Sequence, residues 1–172
     1  MPIYALGQHE PHIDPDAWVH PDAVLIGQVE IGAGSTVWPT AVLRADRNLI
    51  RVGERTSVQD GTVVHCTADL PTIIGSDCVV GHNAHLEGCT IEDGCLVGSG
   101  SVVLHRVVVR TGALVGAGAV VSNGTEVPAR AMALGVPARI RPDAVQPGAF
   151  VSSVAGYVEA GRTYRGQLRL IG

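Results

Sequence analysis

The chain has 172 residues, 46% of them hydrophobic but only 3% aromatic, and 16% charged against roughly 25% in an average globular chain. Its core must therefore be aliphatic, and a net charge of −4 argues against a general nucleic-acid binder. All 12 basic residues are Arg, which excludes lysine Schiff-base chemistry and a P-loop lysine.

The segment before residue 19 carries neither a basic start nor an apolar signal core, and no stretch reaches the ~18 apolar residues of a membrane span. The expectation is a soluble cytoplasmic protein with no membrane or nucleic-acid partner. From Val19 an aliphatic residue recurs every six positions: Leu25, Ile31, Val37 and Leu43, then Val52, Val58 and Val64, then Ile74, Val80 and Leu86. A five-residue step reaches Ile91, and the six-residue beat continues through Val97, Val103, Val109, Val115, Val121, Val127 and Ala133. The fifth position of each hexad is small or short, as in Ala23, Ser35, Thr62, Cys78 and Ala119. A period of six fits neither an α-helix nor a simple meander, but suits a coil of short strands with tight turns.

Three hexads make a triangular rung of 18 residues, stacked on the next at the ~4.8 Å strand spacing. The first and fifth positions point inward, where the prism is too narrow for aromatic rings. Residues 19–138 hold about six to seven rungs, so an all-β solenoid, a parallel β-helix, is expected over residues 1–142 with its leading segment. Two stretches break the beat. Residues 44–51, RADRNLIR, are expected to leave it as a charged loop, and residues 66–73 to bulge around Pro71. Residues 143–172 form a C-terminal segment with a helix expected within Ala149–Leu168, packed on the prism or a neighbour.

Register singles out candidates among seven histidines. His65 is at position two of its hexad, and Glu87 is at position two of the hexad that starts at Leu86. They are 22 residues apart, one rung plus the four-residue bulge, so they stack outward on one face and can share a metal ion. His82 belongs to another face and completes such a site only if a second subunit supplies it. His105, at position three, has no evident partner and reads as a surface residue. Cys78 and Cys95 stack at position five as free thiols in the core, and strand alternation turns Cys66 away from His65.

The stretches TVWPTAVLRAD, SVQDGTVVH, VGHNAHLEGCTI and ALGVPARIRP resemble the γ-class carbonic anhydrase family across essentially the whole chain. The resemblance implies a left-handed β-helix, a homotrimer, and a zinc site between subunits (iron also serves some members). The implied activity is reversible hydration of CO2 to bicarbonate by a metal-bound hydroxide at the trimer interface. The family pattern H-x16-H-x4-H maps onto His65, His82 and Glu87, with Glu where the family has His. A His2Glu set suits Zn2+ or Fe2+. His85 as third ligand, or Glu87 simply accepting hydrogen bonds from the histidines without metal, are open alternatives. The resemblance also implies interface roles for Arg44 and Asp46, a Gln59 that orients the attacking oxygen, and an Asp60 paired with Arg44. Two other readings stand beside it. One is a non-catalytic scaffold that lost the metal with the change to Glu87. The other is an acyltransferase of the same repeat fold, for which His105 is the available general base.

Overall fold

The computed structural model describes residues 2–172; Met1, the first residue of the expected solenoid unit, lies outside the described residues. Most strands are two or three residues long and all but one of their pairings are parallel, because each hexad contributes one short side of a triangular rung. About seven turns stack into a left-handed β-helix. The hand opposes that of ordinary parallel crossovers.

Three inward columns form the core. Leu25, Leu43, Val64, Leu86, Val103 and Val121 run down the first face in unbroken register. Ile31, Val52, Ile74, Ile91, Val109 and Val127 run down the second. Val19, Val37, Val58, Val80, Val97, Val115 and Ala133 run down the third. All but Val19 are buried to 2% exposure or less. The buried fifth-position hydroxyls find carbonyls: Ser35 donates to Gly53 at 2.6 Å, Thr56 to Gly75 at 2.7 Å and Thr62 to Gly81 at 2.8 Å. Burying them unpaired would cost roughly 1–3 kcal/mol each.

Most corners are turned by a residue of positive φ. Gly34, Arg55, Asp77, Gly94, Gly112 and Arg130 stack at the corner between the second and third faces. Thr40, Gly61, Asn83, Gly100 and Gly118 stack between the third and first, and Gly88, Arg106 and Gly124 between the first and second.

The two interruptions behave differently. Residues 44–51 do not leave the solenoid: Val42–Val52 is one continuous strand. Its two ends pair with Val24–Gly27 and Val29–Ile31, and the register shift opposite Gly27/Val29 absorbs the extra residues as a bulge. The charges that suggested a loop sit on the outward side, where a strand tolerates them. Residues 66–71 do leave the sheet, and the chain resumes at Thr72–Ile74. Beyond the last rung, Arg139–Arg141 pairs antiparallel with Met132–Leu134.

The helix spans Val151–Gln167 and lies against the early strands of the third face. Trp18 and Trp38 are on the outside of that face, stacked edge-on with Tyr157 and Tyr164 at ring separations of 5.0–6.0 Å. The aromatic residues excluded from the prism thus bind the helix to it, and Arg165 donates to the carbonyl of Pro15 at 2.8 Å.

Candidate metal centre

The first face positions the candidate residues. Arg44, His65 and Glu87 follow the inward Leu43, Val64 and Leu86, so alternation turns them outward, and they occupy the same register on neighbouring rungs. His65 Nδ1 is 2.8 Å from Glu87 Oε1, and His65 Nε2 is 3.1 Å from Asp46 Oδ1. Asp46 in turn forms an ion pair with Arg44. His65 thus lies between two carboxylates, one at each ring nitrogen. The group is half-buried, with His65 17% and Glu87 22% exposed.

Burial favours the neutral acid of Glu87, but the hydrogen bond from His65 and the fields of His65 and His105 outweigh it and hold the carboxyl below its ordinary value. Asp46 is lowered in the same way, burial being overcome by His65 and Arg44. The 66–71 loop and the Asp46–Leu49 bulge brace this corner. Asn48 Nδ2 donates to the carbonyl of Ala68 at 3.0 Å. The buried Thr72 hydroxyl donates to the carbonyl of His65 and accepts from the amide of Gly88 at 2.8 Å.

His82 and Asp60 sit on adjacent rungs at the corner between the third and first faces, each just before a residue of positive φ, with His82 Nδ1 2.8 Å from Asp60 Oδ2. That is the opposite edge of the first face from His65. The structure therefore brings together His65, Glu87, Asp46 and Arg44, and separately His82 and Asp60, with Gln59 buried beside Asp60. Within one chain Arg44 pairs with Asp46 rather than with Asp60, which sits at the opposite edge of the first face and faces His82. Among the described residues no group of three or more metal-binding side chains is assembled by one chain.

Glu87 Oε2 faces two further imidazoles, His85 Nε2 at 3.5 Å and His105 Nε2 at 3.6 Å. His105, expected at the surface with no evident partner, is one-third exposed and turns Nε2 back toward Glu87 on the previous rung, beyond hydrogen-bond distance. The register pairs Leu86 with Val103, so His105 lies one residue beyond the place next to Glu87, and the sequence signal was the five-residue step from Leu86 to Ile91. All four cysteines are free and buried. Cys66 turns into the core, and burial pushes the Cys78 thiol up to about 12 and that of Cys95 to about 11.

A fold of stacked hexads defines a hexapeptide-repeat protein, and known proteins agree. The bacterial transferase hexapeptide (six repeats) family matches residues 10–45 and 71–105, and the hexapeptide repeat of succinyl-transferase matches 89–127. Gamma carbonic anhydrase 2, mitochondrial, of Arabidopsis thaliana is 44% identical over 135 residues, covering 75% of this chain and 49% of the relative. A probable carbonic anhydrase of Methanocaldococcus jannaschii is 47% identical over 118 residues, covering 69% and 74%. Among solved structures, a hexapeptide transferase family protein from Anaplasma phagocytophilum has a TM-score of 0.90 at 32% identity, covering 95% of this chain and 98% of its own. A putative acetyltransferase of Bacillus cereus has a TM-score of 0.93 at 30% identity, covering 96% and 98%. The chain belongs to the γ-carbonic-anhydrase-like family of hexapeptide-repeat proteins. It spans about half the length of the Arabidopsis relatives.

Proposed function

We propose that the protein is a γ-carbonic-anhydrase-type metalloenzyme that hydrates CO2 reversibly, with a Zn2+ or Fe2+ site shared between subunits of a homotrimer. The observation that carries this reading is the in-register pair of His65 and Glu87 on an outward face, beside a buried imidazole nitrogen, His105 Nε2, that has no partner among the described residues. The donor set fits such an ion: imidazoles and an ionised carboxylate, half-buried on one face. His65 and Glu87 would hold it from one subunit and His82 from the next.

When bound, the ion supplies a Lewis acid that makes a water reactive toward CO2 near neutral pH. The chain's own groups do the rest. Asp46 fixes the orientation of the His65 ring, and Arg44 offers a planar cation to bicarbonate. Asp60 orients His82, and Gln59 offers an untitratable amide for the attacking oxygen. The four buried free thiols suit a reducing compartment such as the cytoplasm.

The test is zinc loading followed by CO2 hydration kinetics. About one ion per chain and hydration lost by more than tenfold in His65→Ala support the reading; less than a tenth of an ion per chain after zinc soaking overturns it. A second reading, transfer of an acetyl group, draws on the likeness to the putative acetyltransferase of Bacillus cereus. A groove of about 850 Å3 between the helix and the corner of Arg55 and Arg130 offers it a place. Saturable coenzyme A binding without metal would favour it.

A further inference from the structure

Three irregularities of the repeat meet at one corner. The 66–71 loop passes there, the five-residue step from Leu86 to Ile91 shortens the turn, and Gly88 occupies that turn at φ +59°. Their joint effect is to let a ring reach across the rungs. A Cβ on Gly88 would lie 3.0 Å from Leu70 Cβ and 3.3 Å from His105 Cδ2, so the absence of a side chain lets the imidazole lie over the corner beneath Leu70. The strand register runs Leu86 opposite Val103, whereas the next strands run Thr90 opposite Val108. The offset thus changes from 17 to 18 residues, and His105 is drawn into the shortened corner.

His105 Nε2 ends up buried and without a hydrogen-bond partner, 3.6 Å from Glu87 Oε2. Leaving a polar nitrogen so is costly unless something occupies the gap. The distance is too long for a good hydrogen bond. It matches the edge of a tetrahedral site instead, since ligands at about 2.0–2.2 Å from one ion lie about 3.3–3.6 Å apart. The other oxygen of Glu87 lies 2.8 Å from His65 Nδ1, the second donor of the same subunit. His85 Nε2 is as near to Oε2 but is not sequestered like His105 Nε2.

We propose that His105 is a metal ligand of the Glu87 side, its Nε2 and Glu87 Oε2 facing the same ion. The imidazole that the γ-carbonic-anhydrase pattern carries at position 87 is then supplied from the next rung. This rests on the shared metal site proposed above.

The test uses the full-length protein with Zn2+ or Co2+ added, comparing wild type, His105→Leu, His85→Ala and the remote control His12→Ala. Three quantities are read: the zinc dissociation constant by chelator competition, the visible Co2+ spectrum, and the melting temperature with and without metal. The expected result is at least tenfold weaker zinc binding and an altered Co2+ spectrum in His105→Leu, with His12→Ala unchanged. Metal-free His105→Leu should melt no lower than wild type, because the substitution removes an unpaired buried nitrogen, while its stabilisation by zinc shrinks. If wild type binds zinc and His105→Leu binds it equally with the same Co2+ spectrum, the His105 assignment alone is overturned. A His105→Leu variant that merely melts lower without metal, or zinc lost only in His85→Ala, overturns it too. If wild type binds neither ion, the shared metal site falls and His105 with it.

Discussion

Glu87 is a carboxylate ringed by imidazoles, and its chemistry follows from that company. His65 occupies one oxygen at 2.8 Å, while His85 and His105 stand 3.5 and 3.6 Å from the other. An anionic ligand lowers the net charge of a bound ion and so makes its water less acidic. Replacing Glu87 by His is therefore expected to raise metal affinity or CO2 hydration, measured by metal titration and stopped-flow kinetics; no change in either would remove Glu87 from the ligand set. Gly98 poses a purely structural demand. A Cβ there would lie 2.4 Å from the amide nitrogen of Ala117 on the next rung, and backbone cannot swing aside. Gly98→Ala should cost about 1–3 kcal/mol in denaturant unfolding. The pairing of His65 with Glu87 was legible because both are outward positions of known register. His105 was missed because the five-residue step from Leu86 to Ile91, whose Gly88 corner its ring covers, was not carried into its placement.

The repeating elements were legible for the reason that makes them stable. Nearly every inward position is fully buried, so each aliphatic residue on the six-residue beat marks a strand. The Val42–Val52 strand was misread because Arg44, Asp46, Arg47 and Arg51 look like loop chemistry, yet such residues are at home on an outward face beside paired backbone. The helix was foreseen between Ala149 and Leu168 and runs Val151–Gln167. What covers the third face was not legible, because the contact is made by Trp18, Trp38, Tyr157 and Tyr164 rather than by a clean apolar stripe. The second face carries a charge ladder in which Arg110 holds Glu92 and Glu126. The Arg110 hydrogen bond, aided by the Thr111 amide, keeps the Glu92 carboxyl below its ordinary 4.5. A carboxyl lowered by folding stabilises the fold above that ordinary value and loses the contribution as pH falls through its folded value. Thermal melts of wild type and Glu92→Gln should therefore differ at pH 7, with the wild type higher, and converge in strong acid. A gap that persists unchanged to pH 2 would contradict the ion-pair origin.

The whole prism presents three unlike surfaces. The second face is laddered with charge and the early part of the third is covered by the helix. The first face instead shows an outward column of Val24, Val42, Val63, His85, Val102 and Val120, apolar except for His85, with Val63 39% exposed, and His65 and His82 at its two edges. A trimer that buried this face would unite the two proposed half-sites and remove most of the column from water. Val63→Arg is accordingly expected to shift sedimentation from trimer to monomer and to lower zinc content together; a trimer that persists with full metal would place the interface elsewhere.

The most direct measurement is subunit complementation. His65→Ala and His82→Ala proteins are purified separately, mixed under conditions that exchange subunits, and zinc bound per trimer is determined before and after mixing. A site shared between chains requires each variant alone to bind little zinc and the mixture to regain part of it, at interfaces where an intact His65 meets an intact His82. Zinc binding that stays absent after verified subunit exchange, or that is undiminished in either variant alone, would contradict the shared metal centre.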